Sequence, residues 1–171
     1  MKKFIFILFL GALAAGGFYL YKNGVIPVNF RRAADTEEIT LVRKALKIDP
    51  DNPDLHNSLG IAYYKAGRLK EALRSFQKVV ALDPQFAEGY YNIGAVYGNL
   101  GKYDAAIEQY DQAIKLKAHQ ADALNNRGLA LLNSGDDAGA LNNFREALKL
   151  NPNLPAARNN IALVHLKNGK L

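Results

Sequence analysis

From about residue 36 to its end the chain repeats itself every 34 positions, and that period constrains the fold more than any other feature. Gly60, Gly94 and Gly128 are 34 residues apart, with Ala162 at the next interval. Gly67, Gly101, Gly135 and Gly169 keep the same spacing, as do Ala72, Ala106 and Ala140, and Phe76, Tyr110 and Phe144. Ile48 is continued by Leu82, Leu116 and Leu150, and Pro50 by Pro84 and Pro152. A fixed period in this range marks an array of small units, each unable to bury its apolar face alone.

Each unit holds two apolar-periodic segments of about a dozen residues around a glycine turn, the pattern of a helical hairpin. In the second unit Ile93, Val96 and Tyr97, then Ala106, Ile107 and Tyr110, recur at helical spacing. A helix-interior glycine costs about 1 kcal/mol relative to alanine, so Gly60, Gly94 and Gly128 need a compensating role. The expected one is close approach of the partner helix, with Ala72, Ala106 and Ala140 as the small residues across the crossing. Gly67, Gly101 and Gly135 are expected to end the first helix in a left-handed C-cap. Gly98 has neither role.

Leu59-Gly60 with Tyr63, and Ile93-Gly94 with Tyr97, form L/I-G-x-x-Y motifs, each followed by the alanine and aromatic registers, and the first also by the proline. With these residues the chain resembles the tetratricopeptide repeat family. The resemblance implies an all-α, right-handed superhelical solenoid of antiparallel helical hairpins. Its units are 53–86, 87–120 and 121–154, after a half repeat at 36–52 and before a terminal helix at 155–171. The sequence departs from the family pattern in places. His56, Tyr90 and Leu124 replace a frequent tryptophan, Ala118 replaces a proline, and Leu131 and Arg127 replace a tyrosine and a leucine in the third unit. Without its proline, the junction between units two and three is expected to bend more easily.

The N-terminus is of another kind. Phe4 to Tyr21 is an uncharged run of 18 residues, about 27 Å as a helix and close to the thickness of a hydrocarbon core. The rival reading is a cleaved secretory signal, with Ala12-Leu13-Ala14 as the cleavage site. Apolar character resumes at Phe18, Tyr19 and Leu20, and Tyr19 and Tyr21 suit an interfacial belt. Residues 1–21 are therefore read as one N-terminal transmembrane helix, a signal anchor, and 22–35 as a linker. The expected arrangement is single-pass with the domain on the outer side; secretion after cleavage is the alternative. Asp35 is expected to cap the first helix of the array, with Glu38 three residues on.

The chain has no cysteine, which removes disulfides, thiolate metal sites and cysteine nucleophiles. Its net charge of +6 is concentrated at Lys2, Lys3, Lys22, Arg31 and Arg32, around the apolar run. Nucleic-acid binding needs cations clustered on the folded surface, so none is expected. His56, expected on a packing face, His119, in an inter-unit turn, and His165 share no ligand spacing. Catalysis, cofactors and metals are accordingly not expected.

The resemblance places a protein or peptide ligand in a concave groove lined by the first helices. Groove positions by this register include Asn57, Tyr64 and Lys65; Tyr91, Asn92 and Asn99; Asn125, Asn126 and Asn133; and Asn159 and Asn160. Asn92, Asn126 and Asn160 recur at the period itself, and a carboxamide both donates and accepts, so such a ladder suits the backbone of an extended peptide. Asp54, Glu88 and Asp122 form an acidic row at the helix starts, where they stabilise the N-termini or favour a basic ligand. Ile161, Leu163, Val164 and Leu166 leave the last helix apolar enough to dock against another subunit.

Overall fold

The computed structural model describes residues 35–169. The expected anchor, membrane contact through residues 4–21 included, and all of the linker but Asp35 lie outside the described residues. Within them no helix is long and apolar enough to cross a membrane. The described residues form eight helices and no strand: α1 (Glu37–Ile48), α2 (Pro53–Lys65), α3 (Leu69–Leu82), α4 (Ala87–Asn99), α5 (Tyr103–Lys115), α6 (Gln120–Ser134), α7 (Asp137–Leu150) and α8 (Pro155–Lys167). Each helix packs on the next, so α2–α3, α4–α5 and α6–α7 are the hairpins. Lone α1 and α8 flank them.

Consecutive first helices also touch, α2 with α4, α4 with α6 and α6 with α8, whereas consecutive second helices do not. A stack whose first helices are closer together than its second helices curves with the first helices inside. The concave face is thus made by α2, α4, α6 and α8.

The glycine registers do what the period demands. A Cβ on Gly94 would lie 2.8 Å from the Tyr110 ring and one on Gly128 2.7 Å from the Phe144 ring, with Gly60 as tightly set against Phe76. Those three rings are buried and could not seat themselves on a helix with a side chain there. Ala162 takes the register in α8, where it is exposed and no second helix of the described residues covers it. Gly98 meets nothing closer than 3.9 Å, the Tyr110 hydroxyl, so it has no packing role.

Hairpin turns close as Schellman motifs: Arg68 N donates to Tyr63 O and Gly67 N to Tyr64 O, both at 2.9 Å, with Gly67 at φ +70°. Junctions between repeats are built differently where proline is present. Asp83 and Asn151, each before a proline, are extended at φ −134° and −133°, as the proline ring requires of its predecessor. At the proline-free junction the chain adopts the hairpin solution instead. Ala118 N donates to Ala113 O at 2.9 Å and Lys117 N to Ile114 O at 3.0 Å. Lys117 and His119 then lie in the left-handed region at φ 63° and 43°. The expected looseness there is a closed, strained turn.

Two other expectations are corrected. Thr36 caps α1, its Oγ1 accepting from Ile39 N at 3.3 Å. Asp35 is drawn away by Arg68 and Arg43, each 2.6 Å from its carboxylate, and the Arg68 bond foremost holds its pKa below the usual value. His56 is half-buried rather than packed in the core, with Nε2 2.8 Å from Pro50 O. Tyr90 and Arg158, at the same repeat position, donate to the carbonyls of Pro84 and Pro152. The replaced tryptophan position thus latches α2, α4 and α8 onto their proline turns.

Candidate functional site

The inner face is lined at its midline by carboxamides and phenols, and the structure joins them into directed chains. Asn57 Nδ2 donates to Glu88 Oε1 at 3.3 Å, and Asn92 Nδ2 donates to Asn57 Oδ1 at 3.0 Å. A carboxylate only accepts, so Glu88 orients Asn57, Asn57 orients Asn92, and the Oδ1 of Asn92 accepts from none of the described residues. A second chain runs Asn160 to Asn125 at 3.0 Å, Asn125 to Asn126 at 3.1 Å and Asn126 to the Tyr91 hydroxyl at 3.1 Å. Near the other edge of the face, Asn99 Nδ2 donates both to Ala95 O, at 2.9 Å, and to the Tyr64 hydroxyl, at 2.5 Å.

Each bond from one first helix to the next that a carboxamide donates backwards joins residues 35 apart, although the sequence repeats at 34. Asn92 reaches Asn57, Asn99 reaches Tyr64, Asn126 reaches Tyr91 and Asn160 reaches Asn125. Neighbouring first helices are staggered by one residue, so the groove partner of a position is the one just before its equivalent.

That stagger sorts the expected groove residues. Asn57 and Asn125, 8% and 6% exposed, lie beneath the surface as acceptors for the next repeat. Asn92, Asn126, Asn160, Tyr64 and Tyr91 are half-buried above them, and Lys65, Asn99, Asn133 and Asn159 are exposed. Lys65 is 3.6 Å from Glu38. Asn133 and Asn159 take no part in the carboxamide chains. Leu132, the neighbour of Asn133, belongs to the core with Phe144 and Val164.

Tyr91 is the centre of an aromatic group, 6.0 Å from the Tyr110 ring and 5.1 Å from His119. Burial pushes its pKa above the ordinary tyrosine value, and nearby Asp122 adds to this. Tyr110 is raised further, mainly by burial. Both phenols therefore stay neutral and serve as hydrogen-bonding groups. Behind them Arg127 fills the leucine position with a polar brace: Nη1 donates to Asn143 Oδ1 at 3.1 Å. Its Nε lies 2.9 Å from Asp111 Oδ1, close as an ion pair but not aligned as a hydrogen bond. Sequence reasoning missed this α5–α6–α7 contact and the carboxamide chains; a search for polar pairs at period plus one would have found the latter.

Stacked hairpins with a polar, open inner face define a repeat solenoid, an architecture that commonly serves as a scaffold for protein–protein interaction. Residues 42–67 and 62–101 match a family model described as TPR repeat, and residues 91–155 match one described as tetratricopeptide repeat. The chain belongs to the tetratricopeptide repeat family.

Among solved structures, it is similar to a crystal structure of MamA at 30% identity, covering 77% of each chain, with a TM-score of 0.71. It resembles Pseudomonas aeruginosa pilF at 27% identity, over 77% of this chain and 60% of that one, with a TM-score of 0.70. The first TPR of Spaghetti (RPAP3), bound to the HSP90 peptide SRMEEVD, shares the fold: identity 23%, coverage 68% and 93%, TM-score 0.65. No curated protein matches the sequence.

Proposed function

We propose that this protein is a non-catalytic adaptor that holds a protein or an extended peptide in its concave groove, tethered to a membrane by residues 4–21 with the array on the outer side. The observation that carries the reading is the pair of directed carboxamide chains. They run across α2, α4, α6 and α8 on the inner face and begin at Asn92 and Asn160, whose oxygens accept from none of the described residues. A fold needing only rigidity would fill these positions with apolar side chains. Oriented carboxamides instead offer regularly placed bonds to a backbone, whatever its sequence.

A crosslinked pull-down from membranes tests this, comparing wild type with Asn92→Ala/Asn126→Ala/Asn160→Ala, checked for helicity by circular dichroism. Partners lost from the folded variant support the groove. Partners retained in full move the function elsewhere. The second reading, a structural subunit assembling through the last helix, is favoured by Leu163 and Leu166, 50% and 59% exposed. It expects partners to be lost from Leu163→Ser/Leu166→Ser instead.

A further inference from the structure

Resting on that groove reading, we infer that the occupant is an extended polypeptide segment carrying a basic side chain at every third position. Part of the groove's hydrogen-bonding capacity is already engaged. Each carboxamide in the two chains has given one amide hydrogen to a neighbour, and Asn99 has given both. By contrast, the Oδ1 atoms of Asn92, Asn99 and Asn160 accept nothing among the described residues. These three oxygens suit a ligand that carries donors.

Charge points the same way. Asp54, Glu88 and Asp122 stand on this face in the first turns of α2, α4 and α6. The cations at the other edge are already engaged, Lys65 by Glu38 at 3.6 Å and Lys167 by Asp137 at 2.7 Å. Helix-start carboxylates ease the helix dipole, yet that leaves their outward lone pairs open. An acidic ligand, a nucleic acid or an anionic lipid surface would face this row unpaired.

Spacing supplies the register. The first helices touch in sequence, so equivalent side chains recur at the packing distance of about 8–10 Å. A polyproline-type chain rises about 3.1 Å per residue and returns to the same face every third residue. Its repeat of about 9 Å matches the helix spacing. Basic residues at every third position of such a segment therefore meet successive carboxylates.

The test uses the full chain in neutral detergent and fluorescence anisotropy with three nine-residue peptides. One has lysine at every third position, one has the same composition with the lysines contiguous, and one has glutamate for lysine. The spaced-lysine peptide should bind most tightly and weaken with salt. Asp54→Asn/Asp122→Asn, which spares Glu88 because it holds Asn57, should weaken it about five- to tenfold. Equal binding of the contiguous peptide overturns the register. Equal or tighter binding of the glutamate peptide, or an unchanged affinity in the double variant, overturns the inference. If a glutamate peptide binds and is lost in Asn92→Ala/Asn126→Ala/Asn160→Ala, this inference fails while the groove reading stands. If the lysine peptide binds undiminished to that triple variant, the groove reading itself fails.

Discussion

Two alanine substitutions four residues apart in α4 should change stability in opposite directions. At Gly94 the added Cβ would sit 2.8 Å and 2.9 Å from two Tyr110 ring carbons, against about 3.5–4.0 Å for unstrained carbon contact. Tyr110 is 3% exposed and wedged among Ala106, Ala123 and Ala130, so it cannot swing aside without moving the α4–α5 crossing. Overpacking of this kind costs about 1–3 kcal/mol. The helix-propensity gain of glycine to alanine returns about 1 kcal/mol. Gly94→Ala should thus be destabilised by about 1 kcal/mol net. At Gly98 the nearest atom is 3.9 Å away, only the propensity gain remains, and Gly98→Ala should be stabilised by about 1 kcal/mol. The two variants should then melt about 4–8 °C apart. Urea unfolding followed by circular dichroism measures both, and Gly94→Ala in a Tyr110→Leu background isolates the ring. If Gly94→Ala stabilises as much as Gly98→Ala, or if removing the ring does not lessen its cost, the close-crossing argument is wrong.

The strained junction gives a second pair. Lys117→Gly should stabilise by about 0.5–1 kcal/mol, because a left-handed residue costs about 1–2 kcal/mol and glycine returns part of that in chain entropy. Ala118→Pro, which restores the family residue, should destabilise by about 3 kcal/mol or more. It deletes the Ala118–Ala113 bond and forbids the conformation of Lys117. Thermal melts of the two variants check both signs. Asn125→Leu should cost about 1–3 kcal/mol by stranding Asn126 and Asn160, while Asn133→Leu, on the exposed surface, should leave the urea midpoint unchanged. Lastly, the pKa of Asp137 is lowered, chiefly by its bond to Lys167. A depressed carboxylate stabilises above its unfolded value and loses that contribution as pH falls through its folded one. Protection of the α8 amides relative to intrinsic exchange should therefore fall below about pH 4; in Asp137→Asn it should already be low at pH 5 and lack that acid step.

Most of the array could be read before any coordinates, because stacked repeats reuse one set of local contacts. Gly67, Gly101 and Gly135 announce the hairpin turns, since backbone sterics alone set the glycine requirement at a left-handed C-cap. Gly60, Gly94 and Gly128 announce the crossings, and Ala162 marks where no second helix of the described residues arrives. The departures were visible as well, but their consequences were not. Ala118 said that a proline was missing, yet only the backbone shows that Lys117 and His119 are twisted into positive φ to close the turn. Arg127 said that a leucine was missing, yet only packing shows its reach to Asp111 and Asn143.

The site divides on the same line. Sequence by itself determined the unit length, the helix order and which residues share a face, because each depends on neighbours within one unit. Tertiary structure alone decided which carboxamides lie beneath the surface and which of them donate to which. Those outcomes depend on a one-residue stagger between separate helices, so Asn92 answers to Asn57 and Glu88, and a periodicity of 34 aligns equivalent residues rather than the ones that touch.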